Sequence, residues 1–214
     1  MYHVKEAFYS LQGEGARTGR ASVFCRFSGC NLWSGREADR AHAACRFCDT
    51  DFVGTDGQHG GRFATPEALA THLQALWPET PNAAAPYVVF TGGEPLLQLD
   101  AALIDALHAR GFEVAVETNG TLPAPAGIDW LCVSPKGHSP LALTAGDELK
   151  LVHPQVDAPP DRFIGLAFRH FFLQPMDGAP AGERVDHLAS TVAYCLAHPQ
   201  WRLSLQTHKI AGID

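Results

Sequence analysis

ASVFCRF, at residues 21–27, is a mostly apolar run typical of a buried strand, and it leads directly into CNLWSGREADRAHAACRFCDT at residues 30–50. The second stretch carries Cys30, Cys45 and Cys48 in a C-x14-C-x2-C spacing. Three grouped thiolates without an evident fourth ligand are typical of an iron–sulfur cluster that leaves one iron open. A structural zinc and a redox CxxC remain alternatives, although zinc would need a fourth ligand and a redox pair would leave Cys30 unexplained.

The rest of the chain repeats the pattern of an apolar run followed by polar or glycine-rich residues. Strands are expected at 2–10, 21–27, 87–91, 112–117, 130–134, 148–152, 171–174 and 202–206, with helices after Thr65 and near 99–110 and 183–197. The polar groups fall just past the carboxyl ends of these strands, where parallel α/β barrels gather their active-site loops. The sequence therefore predicts an α/β fold with an incomplete TIM-type barrel of about six parallel strands, few helices and one domain over 1–214.

Composition narrows the function classes. The 214 residues carry 46% hydrophobic residues and a net charge of −7, which argues against nucleic acid as the main partner. No stretch approaches the roughly 18 apolar residues of a membrane span, and the N-terminus has no apolar signal region. Six cysteines in a chain of this length do not form a disulfide scaffold, so a reducing cytoplasm is expected.

Two charged residues stand out near the N-terminus. Arg26 interrupts an apolar strand, where a charge is costly unless it meets an anion. It either pairs with an internal carboxylate such as Glu14 or binds a substrate carboxylate through its planar fork. Glu14 itself lies between two glycines in LQGEG at 11–15, which fits either a solvated turn or a functional loop.

The motifs together resemble a known family. TGGEP at 91–95 looks like the glycine-rich motif of radical S-adenosylmethionine (SAM) enzymes, whose commonest cysteine spacing is C-x3-C-x2-C. Within that superfamily the chain resembles the 7-carboxy-7-deazaguanine synthase family, some members of which carry the same longer first gap. The resemblance extends through most of the chain, over LQGEG, CRFSGCNLW (25–33), CRFCDTDF (45–52), TGGEP, ETNG (117–120), SPK (134–136), LQPMDG (173–178) and QTHK (206–209).

The resemblance implies roles for particular residues. Cys30, Cys45 and Cys48 would hold a 4Fe–4S cluster whose open iron SAM chelates, and a magnesium ion is expected at Thr50. The SAM site would be lined by Phe47, Asp49, Gly93, Ser134, Lys136 and Gln174, with Glu117 and Asn119 nearby. The catalytic residues Glu14 and Arg26 would bind substrate together with Leu11, Gln12, Gly13, Thr91 and the terminal carboxylate of Asp214.

The implied reaction converts 6-carboxy-5,6,7,8-tetrahydropterin to 7-carboxy-7-deazaguanine with loss of ammonia, and it regenerates SAM. A homodimer and an external, flavodoxin-like electron donor are the expected partners, with no nucleic acid and no membrane. Two other functions remain open. One is a different radical SAM enzyme, such as a glycyl-radical activase, which needs a protein partner. The other is a zinc-stabilised binding module without catalysis.

Overall fold

Nine strands and four α-helices make up the described part of the computed structural model, which covers residues 1–79, 84–177 and 187–213. The strands are β1 (Tyr2–Leu11), β2 (Ala21–Phe27), β3 (Gly61–Phe63), β4 (Tyr87–Gly92), β5 (Glu113–Thr118), β6 (Trp130–Val133), β7 (Ala145–His153), β8 (Ala167–Pro175) and β9 (Arg202–Leu203). The helices are α1 (Pro66–Gln74), α2 (Ala101–His108), α3 (His187–Ala197) and α4 (Thr207–Ala211). None of these helices is long and apolar enough to cross a membrane.

The strands form one sheet in the order β3-β1-β2-β4-β5-β6-β7-β8-β9. From β2 onward all seven strands are parallel and follow chain order, whereas β1 and β3 add an antiparallel edge. Parallel strands in chain order are typical of a barrel, because a doubly wound sheet reverses its order at a switch point. Among the described strands no pairing joins β9 to β3, so the barrel is open. The expected partial barrel is confirmed, with seven parallel strands instead of about six.

Strand β2 shows how the sequence separates the core from the interior of the barrel. Val23, Cys25 and Phe27 are fully buried against helices α1 and α2. The intervening Phe24 and Arg26 face the opposite side and line a cavity. This division follows the two-residue period of a strand.

Helices α1 and α2 cover the outer face of the first parallel strands. Thr65 caps α1 by accepting a hydrogen bond from the Ala68 amide at 3.2 Å, as the sequence predicts. Asp100 caps α2 in the same way, accepting from the Leu103 amide at 2.9 Å. The second helix therefore begins two residues later than expected, because Asp100 leaves the helical conformation in order to cap it.

Four elements differ from the sequence prediction. Residues 61–63, where no strand was expected, form β3 by pairing with the start of β1. The last strand is only two residues long, and helix α4 follows it where no helix was expected. On α3 two large apolar side chains are largely uncovered, with Leu188 48% and Leu196 80% exposed. The helix instead packs through Thr191, whose hydroxyl contacts His153. The beginning of the expected helix, 183–186, lies outside the described residues.

Candidate active site

A cavity of about 630 Å³ opens at the carboxyl ends of the parallel strands. Strands β1, β2, β4, β5, β7 and β8 contribute residues to it, and so do the segments that follow β1, β2, β4, β5, β6, β8 and β9. It includes nearly all the residues that the sequence singled out: Leu11, Gln12, Gly13, Glu14, Arg26, Cys45, Phe47, Cys48, Asp49, Thr50, Thr91, Gly93, Glu117, Asn119, Ser134, Lys136 and Gln174. Asp214 lies outside the described residues.

The three motif cysteines lie near one another, and two of them line this cavity. Cys45 and Cys48 line it, and the Cys45 thiol donates a hydrogen bond to the Cys48 sulfur. This bond lowers the pKa of Cys48 to about 6 and raises that of Cys45 above its usual value. Burial raises the pKa of Cys30, which lies close enough to interact electrostatically with Cys48. All three are free thiols.

Cys30 is held next to the glycine-rich loop. A Cβ added at Gly93 would lie 2.2 Å from the Gly29 carbonyl oxygen and 2.6 Å from the Cβ of Cys30, so no other residue fits there. The next amide, that of Glu94, donates to the same Gly29 carbonyl at 2.9 Å. The TGGEP loop therefore lies directly against the first cysteine of the motif.

A positive charge lies near two of the motif cysteines. Among the described residues, no three His, Cys, Asp or Glu side chains converge as the ligands of one metal ion do. An iron–sulfur cluster does not need such convergence, because each thiolate binds a different iron. The charge of the neighbouring Lys136 adds to the lowering of the Cys48 pKa and offsets part of the rise at Cys45, which favours the thiolates that bind iron. Three grouped cysteines, two of them near a cation, therefore fit a 4Fe–4S cluster.

The other three cysteines lie away from this group. Cys25 is fully buried in the core on β2, and Cys132 is buried on β6 beside Glu148. Cys195 lies on α3. Burial raises the pKa of all three thiols, as expected for cysteines that act as small apolar side chains.

A buried carboxylate joins two of the polar loops. Glu94 has no solvent exposure, and it accepts hydrogen bonds from the Thr118 hydroxyl at 2.7 Å and from the Asn119 amide at 2.8 Å. It also caps its own turn by accepting from the Leu96 amide at 3.0 Å. Burial raises the pKa of Glu94. The conformation of ETNG is thereby tied to that of TGGEP.

An ion network with one cation and two anions lies deep in the cavity. The Lys150 ammonium, on β7, is 2.5 Å from the Glu14 carboxylate and 2.8 Å from the Glu117 carboxylate. Gln12 adds a second link, donating to Glu117 at 2.9 Å and accepting from the Glu14 amide at 3.1 Å. Gln174 completes the shell of Glu14, donating to it at 3.0 Å.

This network fixes the charge states of its members. Burial alone would raise the pKa of Glu14, but the charge of Lys150 and the hydrogen bonds to Glu14 lower it to about 2. Burial alone would lower the pKa of Lys150, but Glu117 and Glu14 raise it well above its usual value. Near neutral pH the Lys150 ammonium and the Glu14 carboxylate therefore form a buried ion pair, with the Glu117 side chain at hydrogen-bond distance from Lys150.

Arg26 has a different internal partner from the one suggested by the sequence. Its Nε donates to the Glu6 carboxylate at 2.8 Å, and not to Glu14. The two residues are direct cross-strand partners in the antiparallel β1–β2 pair. Both still line the cavity, so the guanidinium lies at its wall.

Two smaller groups complete the cavity wall. Near the cysteines, Lys136 donates to the Ser134 hydroxyl at 2.7 Å and lies 5.7 Å above the Phe47 ring. Asn119 donates to Asn31 at 2.9 Å, which connects ETNG to the loop after Cys30.

At the rim, Lys209 bridges Asp49 at 3.0 Å and Asp177 at 2.5 Å. Among the described residues, the Thr50 hydroxyl makes one hydrogen bond, a long one of 3.5 Å to the Asp49 carboxylate. Thr50 therefore has a weakly engaged hydroxyl beside the cysteine pair.

The C-terminal segment docks onto LQGEG. Gly13 accepts at its carbonyl from both the amide and the hydroxyl of Thr207, each at 2.9 Å. A Cβ at Gly13 would meet the His208 ring at 2.1 Å, so the close approach requires glycine. Gln206 donates to Glu14 at 3.1 Å. The segment after β9 is therefore part of the cavity wall.

Sequence reasoning did not identify Lys150 as a site residue. A signal was present, because Glu148 and Lys150 alternate with Leu149 and Leu151 in an otherwise buried strand. Two charges on one face of a strand, opposite two core leucines, indicate a polar interior.

A half-open parallel barrel with three thiolates beside a glycine-rich loop at its mouth defines a radical SAM enzyme. A profile of the radical SAM superfamily matches residues 39–165. The chain is 68% identical to the 7-carboxy-7-deazaguanine synthase of Bordetella pertussis and 58% to that of Burkholderia multivorans, each over 99% of both chains. The crystal structure of QueE from Escherichia coli superposes with a TM-score of 0.66 at 25% identity, covering 95% of this chain and 93% of that one. The chain belongs to the 7-carboxy-7-deazaguanine synthase family.

Proposed function

We propose that this chain converts 6-carboxy-5,6,7,8-tetrahydropterin to 7-carboxy-7-deazaguanine with loss of ammonia. The observation that supports this most is that one cavity is lined both by the cysteine pair and by LQGEG with Arg26. A radical source and a residue set suited to a carboxylated pterin would thus meet in a single site. The family relationship over the full length of the relatives points the same way.

Cys30, Cys45 and Cys48 would hold the 4Fe–4S cluster, and SAM would occupy its open iron. When bound, the pair supplies a 5′-deoxyadenosyl radical that abstracts a hydrogen atom from substrate. The chain itself provides the surroundings for SAM. Gly93 packs against Gly29 and Cys30, which would keep the glycine-rich loop beside the cluster for the methionyl group, and Lys136, Ser134 and Phe47 form the adjacent wall. The polar residues Asp49, Glu117, Asn119 and Gln174 would bind the remaining groups of SAM.

The substrate would lie on the β1–β2 side of the cavity. Arg26 would exchange part of its pairing with Glu6 for the pterin carboxylate, which its fork can bind through two nitrogens. Glu14 would accept from the N–H donors of the pterin, because Lys150 keeps it ionised. Leu11, Gln12, Gly13 and Thr91 line the same wall and would orient the ring. A fixed orientation is the main contribution the protein makes to radical chemistry.

Thr50 would provide a protein oxygen to a magnesium ion that also binds the substrate carboxylate. The hydrogen bond of its hydroxyl to Asp49 is long, so the hydroxyl can turn toward a cation with little loss. Magnesium keeps several waters and needs few protein ligands, which suits a single hydroxyl at the cavity edge.

The C-terminal carboxylate of Asp214 would accept hydrogen bonds from the pterin. Thr207 docks on Gly13 and brings the segment after β9 to the substrate side, which supports this role. Adding a short C-terminal extension should therefore weaken substrate affinity.

The remaining expectations concern partners and surroundings. A flavodoxin-like donor would reduce the cluster, and two copies of the chain would form a homodimer. Oxygen-labile chemistry suits a reducing compartment such as the cytoplasm. Residues 1–214 would form one domain.

The reaction is tested by incubating the reconstituted protein with the carboxylated tetrahydropterin, SAM and a chemical reductant in the absence of any other protein. Mass spectrometry should detect 7-carboxy-7-deazaguanine. A protein that cleaves SAM but forms this product only after a second protein is added would point to a partner-dependent enzyme such as a glycyl-radical activase. A colourless protein that binds zinc and cleaves no SAM would point to a binding module.

A further inference from the structure

The segment between the first two cysteines, residues 31–44, folds as an anchored lobe beside the cluster site. It contains the short 3-10 helix Glu37–His42. Trp33 is its main buried side chain, and it packs edge-on against Phe52 with 5.6 Å between ring centroids. The Trp33 indole nitrogen donates to the Arg36 carbonyl at 3.1 Å. The lobe therefore has a fixed base from which other groups can reach the cysteines.

Arg40 extends from this lobe to the CxxC turn. Its Nη1 donates to the carbonyl oxygens of Arg46 and Cys48, both at 3.0 Å. Its Nε donates to the Glu37 carboxylate at 2.8 and 2.9 Å. The guanidinium also lies 4.1 Å above the Trp33 ring. The aromatic face and the carboxylate fix its plane, so the donor that meets the two carbonyls is fixed as well.

We infer that Arg40 is a positioning residue, which holds the CxxC turn in a conformation ready to receive the cluster. The two carbonyls belong to the first and last residues of the Arg46–Phe47–Cys48 run, so one nitrogen clamps the turn on both sides of Phe47. A turn that is already ordered before the cluster binds loses less conformational entropy on binding. The inference rests on the cluster assignment and is independent of which substrate is used.

The test compares wild type with Arg40→Met and Arg40→Lys, and with Arg46→Met as the matched control. Arg46 is an exposed arginine inside the same turn, so its removal changes the local charge by the same amount without removing the clamp. Each protein is reconstituted anaerobically with iron and sulfide. The measured quantity is the rate at which iron is released to a ferrous-iron chelator.

Both Arg40 variants should release iron about tenfold faster than wild type, the factor expected for the loss of one net charge-assisted hydrogen bond. Arg46→Met should match wild type. In the cluster-free chains, hydrogen exchange at residues 45–50 should be faster in the Arg40 variants, whereas exchange in strand β4 should be unchanged.

Equal rates of iron release from wild type and Arg40→Met would overturn the inference, and so would equally fast iron release from Arg46→Met and Arg40→Met. Iron release from Arg40→Lys at the wild-type rate would also overturn the inference, since a positive charge without the planar guanidinium would then be enough. Whether the wild-type protein itself retains iron tests the cluster assignment separately from the role of Arg40.

Discussion

Replacing Lys150 by methionine should destabilise the protein strongly, because it leaves two carboxylates without their shared cation. The Lys150 side chain is 4% exposed, and its ammonium lies within 2.8 Å of both Glu14 and Glu117. Breaking a buried ion pair from one side costs about 3–5 kcal/mol, and we expect Lys150→Met to lower the free energy of unfolding by that amount at pH 7. A matched control is Lys209→Met, which also removes a lysine from two carboxylates.

The control should behave differently because the Lys209 side chain is 42% exposed. Exposed pairs contribute about 0–1 kcal/mol, so Lys209→Met should cost no more than that. The assay is urea denaturation followed by circular dichroism, with both variants measured against wild type. If Lys150→Met and Lys209→Met lower the free energy of unfolding equally, the assignment of Lys150 to a buried network is wrong.

The pH dependence gives the same prediction a second readout. The pKa of Glu14 is lowered to about 2 in the folded chain, so its interaction with Lys150 stabilises the protein above the ordinary carboxyl range. That contribution is lost as pH falls toward 2. The difference in free energy of unfolding between wild type and Lys150→Met should therefore be largest near pH 7 and shrink below about pH 4. A difference that grows on acidification would contradict the sign of this reasoning.

Three further predictions concern the cavity wall. Cys45→Ala should abolish cluster assembly, whereas Cys25→Ala, which replaces a buried cysteine on β2, should assemble the cluster normally. Iron and sulfide analysis of both variants checks this. Full assembly in Cys45→Ala would remove Cys45 from the ligand set. Arg26→Lys should weaken binding of the carboxylated pterin about 10- to 100-fold, because lysine lacks the planar fork, and should leave SAM affinity unchanged. Calorimetric titration with each ligand checks this. Unchanged pterin affinity would leave Arg26 as the partner of Glu6 alone. Thr50→Ala should lower turnover and make the turnover rate less dependent on added magnesium, while cluster content stays intact. If the activity of the wild type does not depend on magnesium after chelation, the ion site is excluded.

Parallel topology explains why so much of the cavity could be predicted from the sequence. Strands such as β4 and β5 are apolar runs that end in conspicuous polar groups, TGGEP and ETNG. Once such strands are parallel, those groups must meet at one end of the sheet. The sequence thus predicted which residues share the cavity without any knowledge of individual contacts.

Specific pairings were harder to predict because they depend on register between distant strands. Arg26 pairs with Glu6. This pairing can be inferred only when β1 is known to run antiparallel to β2 with the two residues opposite each other. Lys150 pairs with Glu14 and Glu117, residues that lie 136 and 33 positions away along the chain. Local pattern carries no information about such distances.

Short elements were missed for a related reason. Strand β3 has three residues, including Gly61, and it exists because β1 offers it an edge. Helix α4 has five residues and is held by docking of Thr207 on Gly13. Neither has enough residues for a periodic signal, so tertiary contacts decide its conformation.

The central claim, that this cavity brings a radical source and a carboxylated pterin together, is tested most directly by comparing product formed with SAM consumed. The assay supplies reduced, reconstituted protein with a limiting amount of SAM and an excess of 6-carboxy-5,6,7,8-tetrahydropterin. Because SAM is regenerated in the proposed reaction, the amount of 7-carboxy-7-deazaguanine should far exceed the SAM consumed. SAM consumption without this product, or product that never exceeds the SAM consumed, would contradict the account.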